Sequence, residues 1–326
     1  MDFSNIIGVI ATDLEEVERV IDENIKSPVS LAYEISKYIL GSGGKRLRPS
    51  VLILCSGVCG LDNGRNRISS AAALELIHTA SLLHDDVIDH ANLRRGKTSS
   101  NIMWGNQVSV LVGDFMLSRA LQLVQSCGSL ELMKIITEAT ARLAEGQVLE
   151  VMSSMAKSEV SEEICFGIIK FKTASLLESC GVVGAIIAAA SEKTKNFLGA
   201  FGLNVGIAFQ LIDDALDYTA DEKEIGKGVG QDLIEKKVTL PLVYALREAS
   251  DVERSYVLKI LQDDNSTDGD IPLIIELVDK YEGVNRTRAI AKGYIEKAKE
   301  ALEHLPQNKY KTALNLLADY ILERKS

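Results

Sequence analysis

Six aspartates stand in two groups with one spacing. Asp85, Asp86 and Asp89 follow the apolar run at residues 71–83, and Asp213, Asp214 and Asp217 follow another at residues 201–212. On a helix, residues four apart are one turn along the axis and about 40° around it, so Asp85 and Asp89 share a face. Burying unpaired carboxylates is expensive, so such groups are paired or hold metal. Carboxylates a turn apart suit a hard cation, and Mg²⁺ takes a few carboxylates together with water and substrate phosphate oxygens. The bland alternative is a helix end dissolved in solvent. Acids near a helix C-terminus oppose the macrodipole, however, and here the pattern occurs twice, each time after an apolar helix.

Basic groups stand beside both acid groups. Gly43-Gly-Lys-Arg-Leu-Arg-Pro49 is a glycine turn that leads Lys45, Arg46 and Arg48 into a helix start, where backbone N–H groups also favour anions. Arg94-Arg95-Gly96-Lys97 comes a few residues after the first acids. Lys172, Lys227 and Lys237 fall near helix ends or in the long irregular stretch around the second. His78 lies seven residues before Asp85, on the same helical face, and is read either as a core histidine or as a neutral donor to an anion. Metal-binding carboxylates ringed by cations point to a diphosphate substrate.

Helical periodicity predicts the elements that carry these groups. Helices are expected at residues 13–25, 31–40, 50–59, 69–90, 108–124, 130–155, 161–190 and 192–215, with Pro49 just inside the third. Residues 219–237 form the longest irregular stretch, and a loop of that length is usually functional or disordered. Thr239-Leu-Pro241 opens another helix, two or three more complete the chain, and residues 265–270 form a surface turn. With 5 prolines and 5% aromatics the composition favours helix. We expect an all-α fold in a single domain, residues 1–326.

A net charge of −10 argues against nucleic acid. Cys55, Cys59, Cys127, Cys165 and Cys180 lie in or near apolar stretches without zinc spacing, so free, buried thiols in a reducing cytoplasm are expected. The acidic N-terminus does not read as a signal peptide. The most apolar run, residues 181–190, falls short of the roughly 20 residues of a membrane span.

The glycine-basic turn, the two Asp-Asp-x-x-Asp groups, Arg94-Arg95-Gly96, Lys172-Thr173, Phe209-Gln210, Lys227 and Lys237 together resemble the trans-isoprenyl diphosphate synthases, or polyprenyl synthetases. The stretch from His78 to Asp86 is most similar to their long-chain members. The resemblance implies a bundle of antiparallel helices around a central cavity. It implies that Asp85 and Asp89, with Asp86 in support, and Asp213, Asp214 and Asp217 bind Mg²⁺. Arg94, Lys172, Lys227 and Lys237 would then hold the allylic diphosphate, and Lys45, Arg48, His78 and Arg95 isopentenyl diphosphate. Thr173 and Gln210 would stabilise the developing cation. His90 and Asn92 stand where many relatives carry further acids. Short-chain relatives place an aromatic ring at one of the positions held here by Ala80 and Ser81, so an open tunnel and a long product, hexaprenyl to decaprenyl, are expected for a quinone side chain. A homodimer is expected from the small-residue run 181–190 and the family likeness, with peripheral membrane contact for product release. The alternatives are a short-chain synthase, a non-catalytic synthase subunit or a terpene cyclase. A carboxylate di-metal bundle is a further alternative, set aside on the reading that no Glu-x-x-His pair appears.

Overall fold

The computed structural model describes residues 3–155, 161–219, 230–262 and 269–324. Among them the only strands are Leu93–Arg94 and Lys97–Thr98, paired antiparallel, and helices dominate the rest. The all-α expectation holds. Two compact units are present. The first gathers Met1–Thr140, Leu176–Gly202 and Ala301–Leu317, and the second Ala141–Ser175, Leu203–Glu300 and Ala318–Ser326.

In the first unit, helix Leu47–Val58 is buried at every residue from 49 to 58. It starts three residues before the predicted position, and Pro49 falls in its first turn, where a missing N–H breaks no helical bond. The Arg65–Ile88 helix packs antiparallel to Asn106–Ser126. Asn66 donates to the Cys127 carbonyl at one end (3.2 Å), and His84 Nε2 is 3.2 Å from the Val110 carbonyl at the other. Gly113 permits this approach, since a Cβ there would lie 2.3 Å from His84 Nε2. The small-residue run in helix Ser175–Ile187 is used inside the chain. A Cβ on Gly181 would fall 2.0 Å from the Leu198 carbonyl oxygen, and one on Gly184 would fall 2.7 Å from that of Leu52. The two glycines of this run are therefore used for packing inside the chain, while Val182, Ile186, Ile187, Ala188 and Ala190 are half-buried and Ala189 is exposed.

In the second unit, helices Leu240–Glu248, Asp251–Gln262 and Ile271–Lys280 pack around Leu242, Ala245, Leu246, Val257, Ile274 and Val278. Pro241 is the second residue of its helix, as expected. Among the described residues four helices follow that one, where two or three are expected. The predicted helix 161–190 is three pieces: Glu162–Ile168, a π-type segment Ile169–Ala174, and Ser175–Ile187. Short helices Phe3–Ile7 and Ser100–Trp104 were not anticipated. Within the irregular stretch 219–237, residues 220–229 lie outside the described residues, and Gln231–Ile234 makes one helical turn. The expected surface turn at 265–270 lies mostly outside them too. All five cysteines are free, with Cys55, Cys165 and Cys180 buried and Cys59 and Cys127 half-buried. No helix of the described residues is long and apolar enough to cross a membrane.

Candidate active site

The Arg65–Ile88 helix delivers the first acids at its C-terminus. Asp89 is the capping residue, and its N–H donates to the Asp85 carbonyl (2.8 Å), so the two side chains keep one-turn spacing. Asp86 is fully buried. It accepts Arg94 Nε at 2.7 Å, and Arg94 Nη2 is 2.5 Å from the same oxygen. Arg94 belongs to the small hairpin, whose two turn residues, Arg95 and Gly96, both have positive φ (52° and 74°), the signature of a tight type I′ connection. The basic residues after the first acids thus sit in an ordered hairpin, held to the acidic helix end by the ion pair between Arg94 and buried Asp86. His90, also at positive φ, and Asn92 are exposed.

The glycine-basic turn meets this hairpin. Gly44 has φ 150°, and a Cβ on it would lie 2.7 Å from Arg95 Nη1. Arg46, left-handed at φ 47°, caps the following helix and donates to Glu75 (3.1 Å), Glu18 (3.2 Å) and the Leu40 carbonyl (3.1 Å). Its guanidinium is committed to holding the turn. One Glu-x-x-His pair does occur, contrary to the expectation of none: Glu75 and His78 have that spacing, but Glu75 is engaged as this buried anchor for Arg46. Burial, then the charges of Arg48, Arg95, Arg94 and Arg46, hold His78 well below the usual histidine range. A neutral imidazole amid four arginines fits a donor to a polyanion. Lys45 is exposed and Arg48 half-buried. Ala80 is buried, and Ser81 spends its hydroxyl on the His78 carbonyl (2.7 Å).

In the second unit, helix Glu192–Leu216 ends in Asp213 and Asp214, with Asp217 just beyond. A polar chain crosses from the π-type segment: Thr173 Oγ1 donates to Gln210 Oε1 (2.8 Å), and Gln210 Nε2 donates to Asp214 Oδ1 (2.9 Å). Burial, against the hydrogen bond from Gln210 and with the charges of Asp213, Asp217 and Glu150, pushes Asp214 up to about 7. Burial followed by Asp217 and Asp214 likewise raises Asp232 well above the carboxylate range. Asp213 is ion-paired with Arg324, which also donates to the Phe209 carbonyl (3.0 Å) and lies 4.0 Å from the centre of the Phe209 ring. The two oxygens of Asp217 accept the N–H groups of Gln231 and Asp232, both at 3.1 Å, which pins the short helix Gln231–Ile234.

A cavity of about 150 Å³ opens here, lined among others by Glu150, Lys172, Thr173, Gln210, Asp214 and Lys237. Lys172 sits in the π-type segment, and such segments recur at functional sites. Gly146 explains how it is held. A Cβ there would lie 2.5 Å from the Lys172 backbone nitrogen, so only glycine lets helix Leu130–Met155 come this close. Lys172 Nζ donates to Glu150 Oε2 (2.5 Å), and Lys237 Nζ donates to Glu235 (2.8 Å). Lys227 lies outside the described residues.

The donors are suited to a hard divalent cation, because they are clustered carboxylates whose mutual repulsion an ion would relieve. Among the described residues, no three histidine, cysteine or acidic side chains come together as a group that could hold a metal ion by themselves. A cation held by one or two of these carboxylates would take its other ligands from water or substrate oxygens, a set that Mg²⁺ accepts. Glu150, Asp232 and Arg324 escaped the sequence reading. Gly146 and Glu150, four apart on an apolar helix, were the one available signal, and Arg324 gave none.

The polyprenyl synthetase family profile matches residues 29–278. The chain is similar to octaprenyl diphosphate synthase of Escherichia coli K12, at 37% identity across 99% of both chains. It is also similar to a short chain isoprenyl diphosphate synthase of Methanothermobacter thermautotrophicus, at 35% identity over 96% of this chain and 98% of the other. Among solved structures, a polyprenyl synthase from Caulobacter crescentus CB15, complexed with calcium and isoprenyl diphosphate, superposes with a TM-score of 0.95 at 35% identity, covering 100% of this chain and 98% of that one.

Proposed function

This chain belongs to the polyprenyl synthetase family, and we propose that it adds isopentenyl diphosphate units to an allylic diphosphate, releasing a long all-trans polyprenyl diphosphate. The observation that carries this reading is that each acid group ends an apolar helix within reach of its own cationic or hydrogen-bonding partners. We infer further that residues 1–326 act as one polyprenyl synthetase domain, since relatives match over nearly their whole length. Asp85 and Asp89, with Asp213, Asp214 and Asp217, would hold Mg²⁺. When bound, the cation supplies Lewis-acid neutralisation of the diphosphate charge.

The side chains do the rest. Lys172, Lys237 and Lys227 with Arg94 hold the allylic diphosphate and take up charge as its C–O bond ionises, the bonding pair leaving with diphosphate. Lys45, Arg48, Arg95 and neutral His78 hold isopentenyl diphosphate so that its double bond attacks the allylic carbon. The dipoles of Thr173 and Gln210 stabilise the developing cation, and apolar walls exclude water that would quench it. The proton lost after condensation goes to the released diphosphate. Asp86 supports the site through Arg94.

Free, largely buried thiols support a cytoplasmic setting, and the apolar product supports peripheral membrane contact at release. The test is mass spectrometry of products formed from isopentenyl and farnesyl diphosphates with Mg²⁺. Hexaprenyl to decaprenyl diphosphates are expected. The short-chain Methanothermobacter relative favours a second reading, which products of three or four units would establish. No condensation product at all would overturn both.

A further inference from the structure

The pocket of the second unit contains an acid with no place in the chemistry above. Glu150 projects from helix Leu130–Met155 into a cavity that should receive a polyanion, where a carboxylate is at first sight unhelpful. Its contacts give it a purpose. Glu150 Oε2 is 2.5 Å from Lys172 Nζ and 3.9 Å from Lys237 Nζ, and all three side chains are mostly buried. The two lysines arrive from separate segments, one π-type and one following the short helix Gln231–Ile234, so one oxygen lies beside two cations that sequence keeps 65 residues apart, with Lys237 also 2.8 Å from Glu235. Asp214 and Asp232 line the same cavity, and the charge of Lys237 already acts on Asp232. An ammonium has three donors, so Lys172 can keep Glu150 and still donate to a phosphate oxygen.

We propose that Glu150 is a positioning residue for the allylic diphosphate, holding Lys172 directly and, together with Glu235, steadying Lys237 beside it on the cavity wall. This rests on the prenyltransferase reading, so the experiment measures binding as well as turnover. Titration calorimetry with farnesyl thiolodiphosphate, an allylic analogue slow to ionise, and Mg²⁺ would compare wild type, Glu150→Gln and Glu150→Asp. Glu150→Gln should weaken binding about tenfold and raise the farnesyl diphosphate KM in proportion, with the isopentenyl diphosphate KM within twofold of wild type. Glu150→Asp, which keeps the charge at shorter reach, should lose two- to fivefold, and it carries the test if the glutamine variant does not fold. Analogue binding that depends on Glu150 in a protein that forms no product would sink the functional reading and leave this one standing. Unchanged analogue affinity in the folded variants, or equal rises in both KM values, would overturn it.

Discussion

At the scale of single residues, environment separates side chains that look alike in sequence. Asp85, Asp86 and Asp89 form one motif, yet Asp86 is buried against Arg94 and orders a hairpin, while Asp85 and Asp89 are only half-buried at the helix end. We expect Asp85→Ala or Asp213→Ala to lower turnover about a thousandfold or more, as when a main electrostatic stabiliser is removed. Steady-state kinetics would show it, with EDTA abolishing activity and Mg²⁺ restoring it; full activity in chelator would refute the metal assignment. His78 offers a prediction in pH. Burial and its arginine neighbours hold it neutral when folded, whereas unfolded it titrates near 6.5. Below that value the unfolded chain therefore binds more protons, so stability falls as pH drops and is independent of this group above it. The slope due to His78 approaches about 1.4 kcal/mol per pH unit. Urea denaturation at pH 5.5 and 7.5 should show that His78→Gln loses less stability on acidification than wild type; equal losses would count against a neutral buried ring.

At the scale of elements, Gly146 and the π-type segment form one device, a close backbone approach that sets where Lys172 and Thr173 stand. Gly146→Ala inserts a methyl 2.5 Å from a backbone nitrogen, an overpacking that costs about 1–3 kcal/mol. We expect a lower melting temperature together with a raised KM for the allylic substrate; a loss of stability with unchanged kinetics would separate the segment from the site. The helices themselves were legible, because apolar periodicity with glycine and proline punctuation marks nearly all of them. The π-type segment was not, since Ile-Lys-Phe-Lys-Thr-Ala reads as ordinary helix and the cause lies on another helix. Glu150 and Arg324 were hidden for a related reason, as a lone charge looks solvated until tertiary neighbours bury it. Ala80 and Ser81 were legible in identity, and the structure gives Ala80 no exposure and ties up the Ser81 hydroxyl. If this turn floors the tunnel, Ala80→Phe or Ser81→Phe should shorten products to about three or four units by mass spectrometry. An unchanged distribution with activity retained would place the ruler elsewhere, Ile77 being the nearest alternative.

At the scale of the whole molecule, the case for a homodimer has to move. In the small-residue run that first suggested one, the small positions Gly181 and Gly184 are spent on close backbone contacts inside the chain. Another surface of the first unit is better suited. Ile102 and Met103 on helix Ser100–Trp104, with Val110 and Leu111 early on Asn106–Ser126, leave large apolar side chains in solvent, Leu111 at 65% exposure. Adjacent exposed apolar groups of this kind mark interaction surfaces more often than isolated ones do. A stable interface typically covers about 800 Å² per partner, more than four side chains provide, so neighbouring residues of both helices would have to contribute. The net charge of −10 opposes self-association, but at physiological salt charges further apart than about 8 Å are largely screened, so apolar burial decides the outcome. We therefore expect light scattering at micromolar concentration to return twice the chain mass. Leu111→Glu would place a carboxylate in the apolar centre of that contact, and a buried unpaired charge is strongly disfavoured, so this variant should run as a folded monomer. A wild-type monomer would end the dimer proposal, and a dimeric Leu111→Glu would move the interface to another face.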